Sequence, residues 1–235
     1  VLIGNGNNFN YTIIRYLSNG IVDTNFGDNG ILDPKLEGEV KRAIALTSDD
    51  KILFSGYNDN NLVLKRFLTN GELDVDFGND GVVVYSFGDE LTEPVGEIEI
   101  MENGTFVIGV KYINSGITSN TLIRFNNDGT IDSSYGDNGI ITIPLESRFY
   151  CSPLVFENGD ALARCKYWNF PTLEYIKTTV KFKPNGTIDQ NFGSNGYIYD
   201  YIGEIIQDNQ RIINVSLDEV NEGGIDLEMN RLFSN

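Results

Sequence analysis

The chain contains no histidine, and this absence removes whole classes of chemistry. Ser-His-Asp and Cys-His nucleophile systems, histidine-ligated zinc or haem, and imidazole proton transfer all require that residue. Carboxylates, lysine, tyrosine, serine or a bound cofactor remain as reactive groups. Because no catalytic motif built from them is recognisable, the sequence predicts a protein that is not an enzyme.

Basic residues are scarce: 17 Lys and Arg stand against 34 Asp and Glu, which gives a net charge of −17 at pH 7. That charge repels phosphate backbones and anionic lipid surfaces, so nucleic acid is not expected as a partner. Long apolar runs are also missing, and a membrane-spanning segment is therefore not expected. No signal peptide is recognisable, so we expect an exported form to have lost that segment already.

Cysteine is limited to two residues, Cys151 and Cys165, which flank a predicted hairpin centred near Asn158-Gly159. The two positions fall almost opposite one another, so an oxidising compartment would permit a cross-strand disulfide. Two small buried thiols are the alternative. A zinc site is not expected from two cysteines without histidine, and the CxxC spacing of redox proteins is absent.

The sequence does contain an internal repeat. Four segments align without gaps: SNGIVDTNFGDNG (18–30), TNGELDVDFGNDG (69–81), NDGTIDSSYGDNG (127–139) and PNGTIDQNFGSNG (184–196). Each has a cation five residues before its first glycine and an aspartate three residues after it. These pairs are Arg15 and Asp23, Arg66 and Asp74, Arg124 and Asp132, and Lys181 and Asp189. An aromatic-Gly pair and a last glycine complete each copy.

Apolar runs between these segments indicate strands. In the second copy they cover residues 40–46, 51–57, 61–68 and 81–87. In the third copy, Asn103-Gly104 lies between two such runs and predicts a hairpin whose turn residues both have positive φ. No window has sustained helical periodicity. Four strands per unit, connected as a meander, predict an all-β fold of propeller blades or a propeller-like array with about four to five blades.

The repeats lie at approximately 1–35, 36–90, 91–145, 146–200 and 201–235, and we expect them to form a single β domain. The first and last are incomplete, which predicts 18 strands in groups of three, four, four, four and three. Two interpretations of the ends remain open. Either the ends pair to close a small ring, or the repeats continue in a longer chain.

The phrase R-x-x-x-(N/D)-G-x-(I/V/L)-D-x-x-(F/Y)-G-(D/N/S)-(N/D)-G resembles the delta-60 repeat. The resemblance covers nearly the whole chain, although Lys181 replaces the usual arginine and Tyr135 the usual phenylalanine. It implies a β-propeller-like fold in a secreted or envelope protein, frequent in bacteria of the Bacteroidota type. It implies no catalytic residue. We therefore expect an exported protein that is periplasmic, outer-membrane associated or extracellular.

The repeated cation and aspartate are interpreted as scaffold. An aspartate after a turn glycine can cap the following loop, and the arginine can tie that loop to the preceding strand. The Asp- and Asn-rich loops carry oxygen donors of the kind that Ca²⁺ takes, but none has EF-hand spacing. They are therefore interpreted as turns, with calcium as the minor alternative, and no cofactor is expected.

The best candidate for an interface is an aromatic segment of the fourth copy, with Tyr167, Trp168, Phe170 and Tyr175. Exposed aromatic residues with polar neighbours are typical of binding surfaces for protein or sugar. A longer hairpin whose rings pack on its own sheet is the alternative. The segment contains the single tryptophan of the chain.

These features together predict a non-enzymatic, protein-binding scaffold. Such a scaffold could be an accessory subunit of an outer-membrane or protein-export complex, and an outer-membrane protein is the candidate partner. The alternative is a carbohydrate-binding module or a carboxylate-dependent glycoside hydrolase, which would make a glycan the ligand. Glu97 with Glu99, and Asp226 with Glu228, share strand faces and are the carboxylate pairs for such chemistry. A solvated sheet face explains the same alternation.

Overall fold

The computed structural model describes residues 2–5, 11–34, 43–87, 92–114, 117–145, 149–199, 204–208, 211–220 and 224–233. All regular elements of these residues are strands: 18 of them form five antiparallel sheets. Consequently, the described part of the chain offers no helix with the length and apolar character needed to cross a membrane.

The strands follow one another sheet by sheet along the chain. The first sheet contains β1 (Leu2–Asn5), β2 (Tyr11–Ile14) and β3 (Ile31–Leu32). The second contains β4 (Ala43–Leu46), β5 (Ile52–Asn58), β6 (Asn61–Phe67) and β7 (Val82–Tyr85). The third contains β8 (Thr92–Ile100), β9 (Phe106–Asn114), β10 (Ile117–Phe125) and β11 (Ile140–Ile143).

Two further sheets complete the described chain. The fourth contains β12 (Tyr150–Val155), β13 (Ala161–Asn169), β14 (Glu174–Phe182) and β15 (Tyr197–Tyr199). The fifth contains β16 (Glu204–Asp208), β17 (Arg211–Val220) and β18 (Gly224–Phe233). In every sheet the spatial order of the strands is the chain order, which is a meander.

The all-β prediction of propeller-like, four-stranded antiparallel repeats is confirmed. The described strands also group as three, four, four, four and three. Within the described residues the five sheets are not joined into a closed ring, so both interpretations of the ends stay open.

The turn between β8 and β9, the first two strands of the third sheet, differs from the predicted type. Of the pair Asn103-Gly104, Gly104 alone has positive φ, +82°. The side chain of Asn103 instead accepts the backbone N–H of Thr105 at 3.0 Å. The loop has three residues, 102–104, because the N–H of Met101 donates to the carbonyl of Thr105. A two-residue turn of the type expected at Asn103-Gly104 occurs instead at Asp59-Asn60, where φ is +46° and +65°. Asp and Asn tolerate this conformation, so the motif need not contain glycine.

The hydrophobic core lies between successive sheets. Neighbouring residues of one strand enter different clusters because their side chains alternate. Phe54 packs toward the first sheet with Ile13 and Phe26, whereas Leu53 packs toward the third sheet with Phe106. The second and third sheets are therefore packed on both faces, as in stacked propeller blades. The first strands β4, β8 and β12 lie beside one another, so these edges converge.

Candidate functional site

The cation and the aspartate of each repeat form an ion pair. In the first three repeats the arginine Nε donates to Oδ2 of the aspartate. The distances are 2.9 Å for Arg15–Asp23, 2.7 Å for Arg66–Asp74 and 2.8 Å for Arg124–Asp132. In the fourth repeat, Lys181 Nζ lies 3.0 Å from Asp189 and 3.0 Å from Asp160. The pair ties the end of the third strand to the loop that follows it.

The second carboxylate oxygen of the aspartate caps the loop. Oδ1 of Asp132 accepts the backbone N–H of Ser134 at 3.0 Å, and Oδ1 of Asp23 accepts that of Asn25 at 3.1 Å. This is the geometry of an Asx turn. Burial acts to raise the pKa of Asp132, but the hydrogen bonds of Ser134 and the charge of Arg124 outweigh it, so the pKa lies below its usual value.

The same loop docks on the next repeat through its aromatic-Gly pair. The glycine N–H donates to a turn carbonyl of the following repeat. These bonds are Gly27 to Asn70 (2.8 Å), Gly78 to Asp128 (2.7 Å) and Gly136 to Pro184 (3.0 Å). The third is displaced by one residue, since Pro184 aligns with the residue before Asn70.

Arginine crosses the same junction. Nη1 of Arg66 donates to the carbonyl of Asn127 and to its Oδ1, the latter at 3.0 Å, and Nη1 of Arg15 donates to the carbonyl of Thr69. The Arg66 guanidinium also lies over the buried ring of Phe77, 4.7 Å from the centroid, which is cation–π geometry. One side chain therefore connects a strand, its loop, the aromatic residue and the next repeat.

Glycine permits this close approach. Gly71 has a φ of +90°, and a Cβ there would lie 2.8 Å from the amide nitrogen of Gly27. Gly186 has a φ of +82°, and its Cβ would lie 2.8 Å from the Cα of Gly136. We call the cation, the aspartate, the aromatic-Gly pair and the glycine turn of the next repeat the junction lock. Its contacts are those of a scaffold.

Two members of these locks were missed in the sequence. Lys51 Nζ lies 3.1 Å from Asp74, and Asp160 is the second partner of Lys181. Lys51 and Asp160 occupy the same position, directly after the first turn of their repeats. The available signal was this one aligned position. It holds a lysine in the repeat where its partner is an aspartate, and an aspartate in the repeat where its partner is a lysine.

Cys151 and Cys165 form a disulfide between the first two strands of the fourth sheet. They are direct partners in the strand register, with Cα atoms 4.0 Å apart. Both are buried in the cluster between the third and fourth sheets. The bond therefore fixes the convergent inner strand β12 to β13.

Glu97 and Glu99 lie on one face of β8, as strand alternation requires, and both approach Arg164 of the fourth sheet. Arg164 Nη2 is 3.3 Å from Glu97 Oε2 and 3.8 Å from Glu99 Oε1. Burial raises the pKa of Glu99 and the Arg164 charge offsets only part of this effect. The pair forms a contact between two sheets. The side chains of Asp226 and Glu228 lie outside the described residues.

The aromatic segment forms the outer end of the β13–β14 hairpin. Trp168 pairs directly with Tyr175, and the ring centroids are 4.9 Å apart at 71°. Trp168, Tyr175 and Phe170 are 40%, 55% and 78% exposed. Tyr167 projects from the opposite face, where its ring lies 4.6 Å from that of Phe149 and packs on the core. Three of the four candidate interface residues are thus exposed together.

The tip of this hairpin is apolar. Its loop, residues 170–173, contains Phe170, Pro171 and Leu173, and Leu173 is 68% exposed. Leu173 has a φ of +56°, and its N–H donates to the carbonyl of Asn169 at 2.8 Å. Positive φ is unfavourable for a bulky residue. The hairpin of the third sheet has strands of the same length, nine residues, so the loop, not the stem, distinguishes the fourth repeat.

The polar loops surround one shallow cleft of about 430 Å³ at the second junction lock. Arg66, Asp76, Asn126, Asn127 and Asp128 line it. Among the described residues, no group of three or more His, Cys, Asp or Glu side chains could hold a metal ion. Among the Asp- and Asn-rich loops, Asp59 and Asn60 form the turn between β5 and β6.

The fold and its junction locks define an all-β protein of consecutive propeller-like sheets. Residues 103–135, from the first turn of the third sheet to its lock aromatic residue, match the family model described as "Domain of unknown function (DUF5122) beta-propeller". The match covers much less than half of the chain and supports a propeller-like family. No curated protein matches the chain.

Proposed function

We propose that this protein is a non-enzymatic binding scaffold that presents the outer end of the β13–β14 hairpin to a protein partner. The observation that carries the proposal is the apolar loop tip. Phe170 and Leu173 are large, lie three residues apart in one tight loop, and are 78% and 68% exposed. Exposed aromatic and aliphatic residues of this kind are typical of interaction surfaces.

The backbone of the tip supports this proposal. Leu173 adopts a left-handed conformation that costs about 1–2 kcal/mol for an ordinary L-residue, yet the residue remains 68% exposed. The stem is held by nine strand pairs between β13 and β14, among them Trp168 with Tyr175, and the Cys151–Cys165 disulfide ties β13 to the neighbouring strand β12. A rigid stem lowers the entropy that binding must overcome.

Membership of the delta-60 repeat family and export from a Bacteroidota-type cell belong to the same proposal. The buried disulfide supports an oxidising compartment, since such bonds persist mainly outside the cytosol. We place the protein in the periplasm, at the outer membrane or outside the cell. An accessory subunit of an outer-membrane or protein-export complex fits this location.

Photo-crosslinking tests the proposal. A photoreactive phenylalanine analogue replaces Phe170, and the purified protein is irradiated with detergent-solubilised envelope of the source organism. The control carries the same analogue at Val75, which is 65% exposed on the second repeat. We expect one stoichiometric adduct from position 170 and none from position 75. Absence of an adduct at 170, or equal adducts at both positions, would refute the proposal.

The carbohydrate alternative rests on the exposed ring of Trp168. Loss of glycan binding in Trp168→Ala would favour it, and hydrolysis that Glu97→Gln abolishes would establish a glycosidase. The contact of Arg164 with Glu97 and Glu99 argues for a structural role of that pair. We therefore rank both alternatives below the protein-binding scaffold.

A further inference from the structure

Residues 16–21 of the first repeat, which we call the Tyr16 turn, have the same backbone as the turns that receive a junction lock. The N–H of Leu17 donates to the carbonyl of Ile21 at 2.8 Å, and that of Gly20 to the carbonyl of Leu17 at 2.9 Å. The corresponding bonds of the second repeat are also 2.8 and 2.9 Å long. Gly20 has a φ of +81°, and the glycines at its position in the later repeats have values from +82° to +90°.

The Tyr16 turn is uncovered where the later turns are packed. Tyr16 is 37% exposed, whereas the residues at its position in the later repeats are at most 4% exposed: Phe67, Phe125 and Phe182. Each of these phenylalanines shares a hydrophobic cluster with the lock aromatic residue of the preceding repeat. Within the described part of the chain, Tyr16 has no lock aromatic residue to pack on.

Gly20 shows the same difference. A Cβ at its position in the later repeats would lie 2.7 or 2.8 Å from an atom of the preceding repeat, which applies to Gly71, Gly129 and Gly186. A Cβ at Gly20 would meet no atom of the described residues within 4 Å. The surface that holds a lock loop at three junctions is therefore open at the Tyr16 turn.

The backbone of the Tyr16 turn also offers the acceptors of a lock. At the first junction, the carbonyl of Thr69 accepts the Arg15 guanidinium and that of Asn70 accepts the N–H of Gly27. Ser18 and Asn19 occupy the positions of Thr69 and Asn70. Among the residues that the structure describes, no donor is placed against these two carbonyls. The turn is formed in advance, which lowers the entropy that binding must overcome.

We propose that the Tyr16 turn is the acceptor half of a further junction lock and binds a propeller-like repeat of a partner chain through a loop of sequence Asp-x-x-(Phe/Tyr)-Gly. The aromatic ring of that loop packs beside Tyr16, and its glycine N–H donates to the carbonyl of Asn19. The arginine of the partner repeat donates to the carbonyl of Ser18. The inference goes beyond the proposed function, because it concerns the first sheet and not the β13–β14 hairpin.

The loops of this chain are not available for the Tyr16 turn. The sequence Asp-x-x-(Phe/Tyr)-Gly occurs four times in residues 1–235. In the first three copies the glycine N–H is bonded to the next repeat, and the fourth copy is followed by the fifth sheet. Residues 201–235 contain no such loop, so the fifth sheet does not supply one either. The loop is therefore supplied by a partner chain.

A defined peptide tests the inference. The probe is a fluorescein-labelled peptide of residues 62–85, which comprises β6, its lock loop and β7. It carries Leu62→Cys and Tyr85→Cys, joined as a disulfide, since these positions are direct partners in the strand register. The control peptide carries Phe77→Ser in addition. Fluorescence anisotropy is recorded with the wild-type protein, with Gly20→Ala and with Phe170→Ser.

We expect the wild-type protein and Phe170→Ser to bind the probe at least about tenfold more tightly than the control peptide, the size expected for burial of one phenyl ring. Gly20→Ala is expected to lose this preference, because its Cβ meets the docked loop as a Cβ at Gly71 would meet Gly27. Equal binding of the two peptides by the wild-type protein, or an undiminished preference in Gly20→Ala, overturns the inference. Dimerisation of the wild-type protein in sedimentation equilibrium that Gly20→Ala abolishes also overturns it, in favour of a second copy.

A photo-crosslink identifies the natural occupant. A photoreactive phenylalanine analogue replaces Tyr16, and the purified protein is irradiated with detergent-solubilised envelope of the source organism. We expect an adduct whose cross-linked peptide, mapped by mass spectrometry, contains Asp-x-x-(Phe/Tyr)-Gly. An adduct with any other peptide, or the absence of an adduct, overturns the inference. The result does not depend on the adduct at position 170, so this inference and the proposed function can fail separately.

Discussion

Arg66 is the residue whose removal tests the junction lock most directly. Its side chain is 6% exposed and that of Asp74 3%, so Arg66→Met leaves a buried carboxylate without its guanidinium. Breaking a buried ion pair by removing one partner costs about 3–5 kcal/mol. Lys51 remains 3.1 Å from Asp74. We therefore expect a loss at the lower end, about 3 kcal/mol in the free energy of unfolding.

Arg15→Met is the matched control. Like Arg66, Arg15 binds its own aspartate and a backbone carbonyl of the next turn, but it has no counterpart of the bond to Asn127 Oδ1 and its side chain is 26% exposed. Pairs that water reaches contribute about 1 kcal/mol or less. The loss in Arg15→Met is thus expected to be less than half of that in Arg66→Met.

Guanidinium unfolding followed by circular dichroism measures both losses. Strand ellipticity is the appropriate signal, because the single tryptophan lies in the fourth repeat and reports the second only indirectly. Equal losses for the two variants would show that burial does not decide the strength of the lock. A loss below about 0.5 kcal/mol for Arg66→Met, typical of neutral surface changes, would refute the buried-pair argument itself.

Three further outcomes are expected. Replacing both Cys151 and Cys165 by alanine should lower the free energy of unfolding by about 3 kcal/mol, the loop-entropy value for a 14-residue separation, measured against the oxidised protein. Gly71→Ala should destabilise by at least about 1 kcal/mol more than Gly20→Ala in parallel melts, because both have positive φ but only Gly71 meets backbone. Burial acts to raise the pKa of Asp74, but Lys51 and Arg66 outweigh it and lower the pKa. The stability that this ion pair contributes is therefore present above about pH 4, and it should fall on acidification toward pH 3. In Asp74→Asn the free energy of unfolding should decline less steeply with falling pH. An unchanged slope would contradict the role assigned to Asp74.

The strand plan was predictable because its determinants are local. Apolar runs of seven or eight residues alternate with glycine and asparagine turns, and four aligned copies reduce the ambiguity of any single run. The deviation at Asn103-Gly104 has a local cause as well. The asparagine side chain accepts the N–H of Thr105, which stabilises a three-residue loop that the dipeptide alone does not indicate.

The junction lock was only half predictable. A repeated Arg and Asp eight residues apart indicates an intra-repeat pair, such as Arg66 with Asp74. The bond from Arg66 to Asn127 joins residues 61 positions apart, so it depends on how two sheets pack. For the same reason, the contact of Lys111 with Tyr150 and the orientation of Tyr167 toward the core could not be read from periodicity within one strand.

The glycine bonds across the junctions have a consequence for cooperativity. Gly27 completes its hydrogen bonding only when the turn at Asn70 is folded, and Gly78 likewise waits for Asp128. A sequence repeat is therefore shorter than the unit that can fold, which reaches into the neighbouring copy. Such an array behaves as a one-dimensional chain with nearest-neighbour coupling. Unfolding of one turn then removes a hydrogen-bond partner from the loop of the preceding repeat. Unfolding therefore spreads from each repeat to its neighbour along the array.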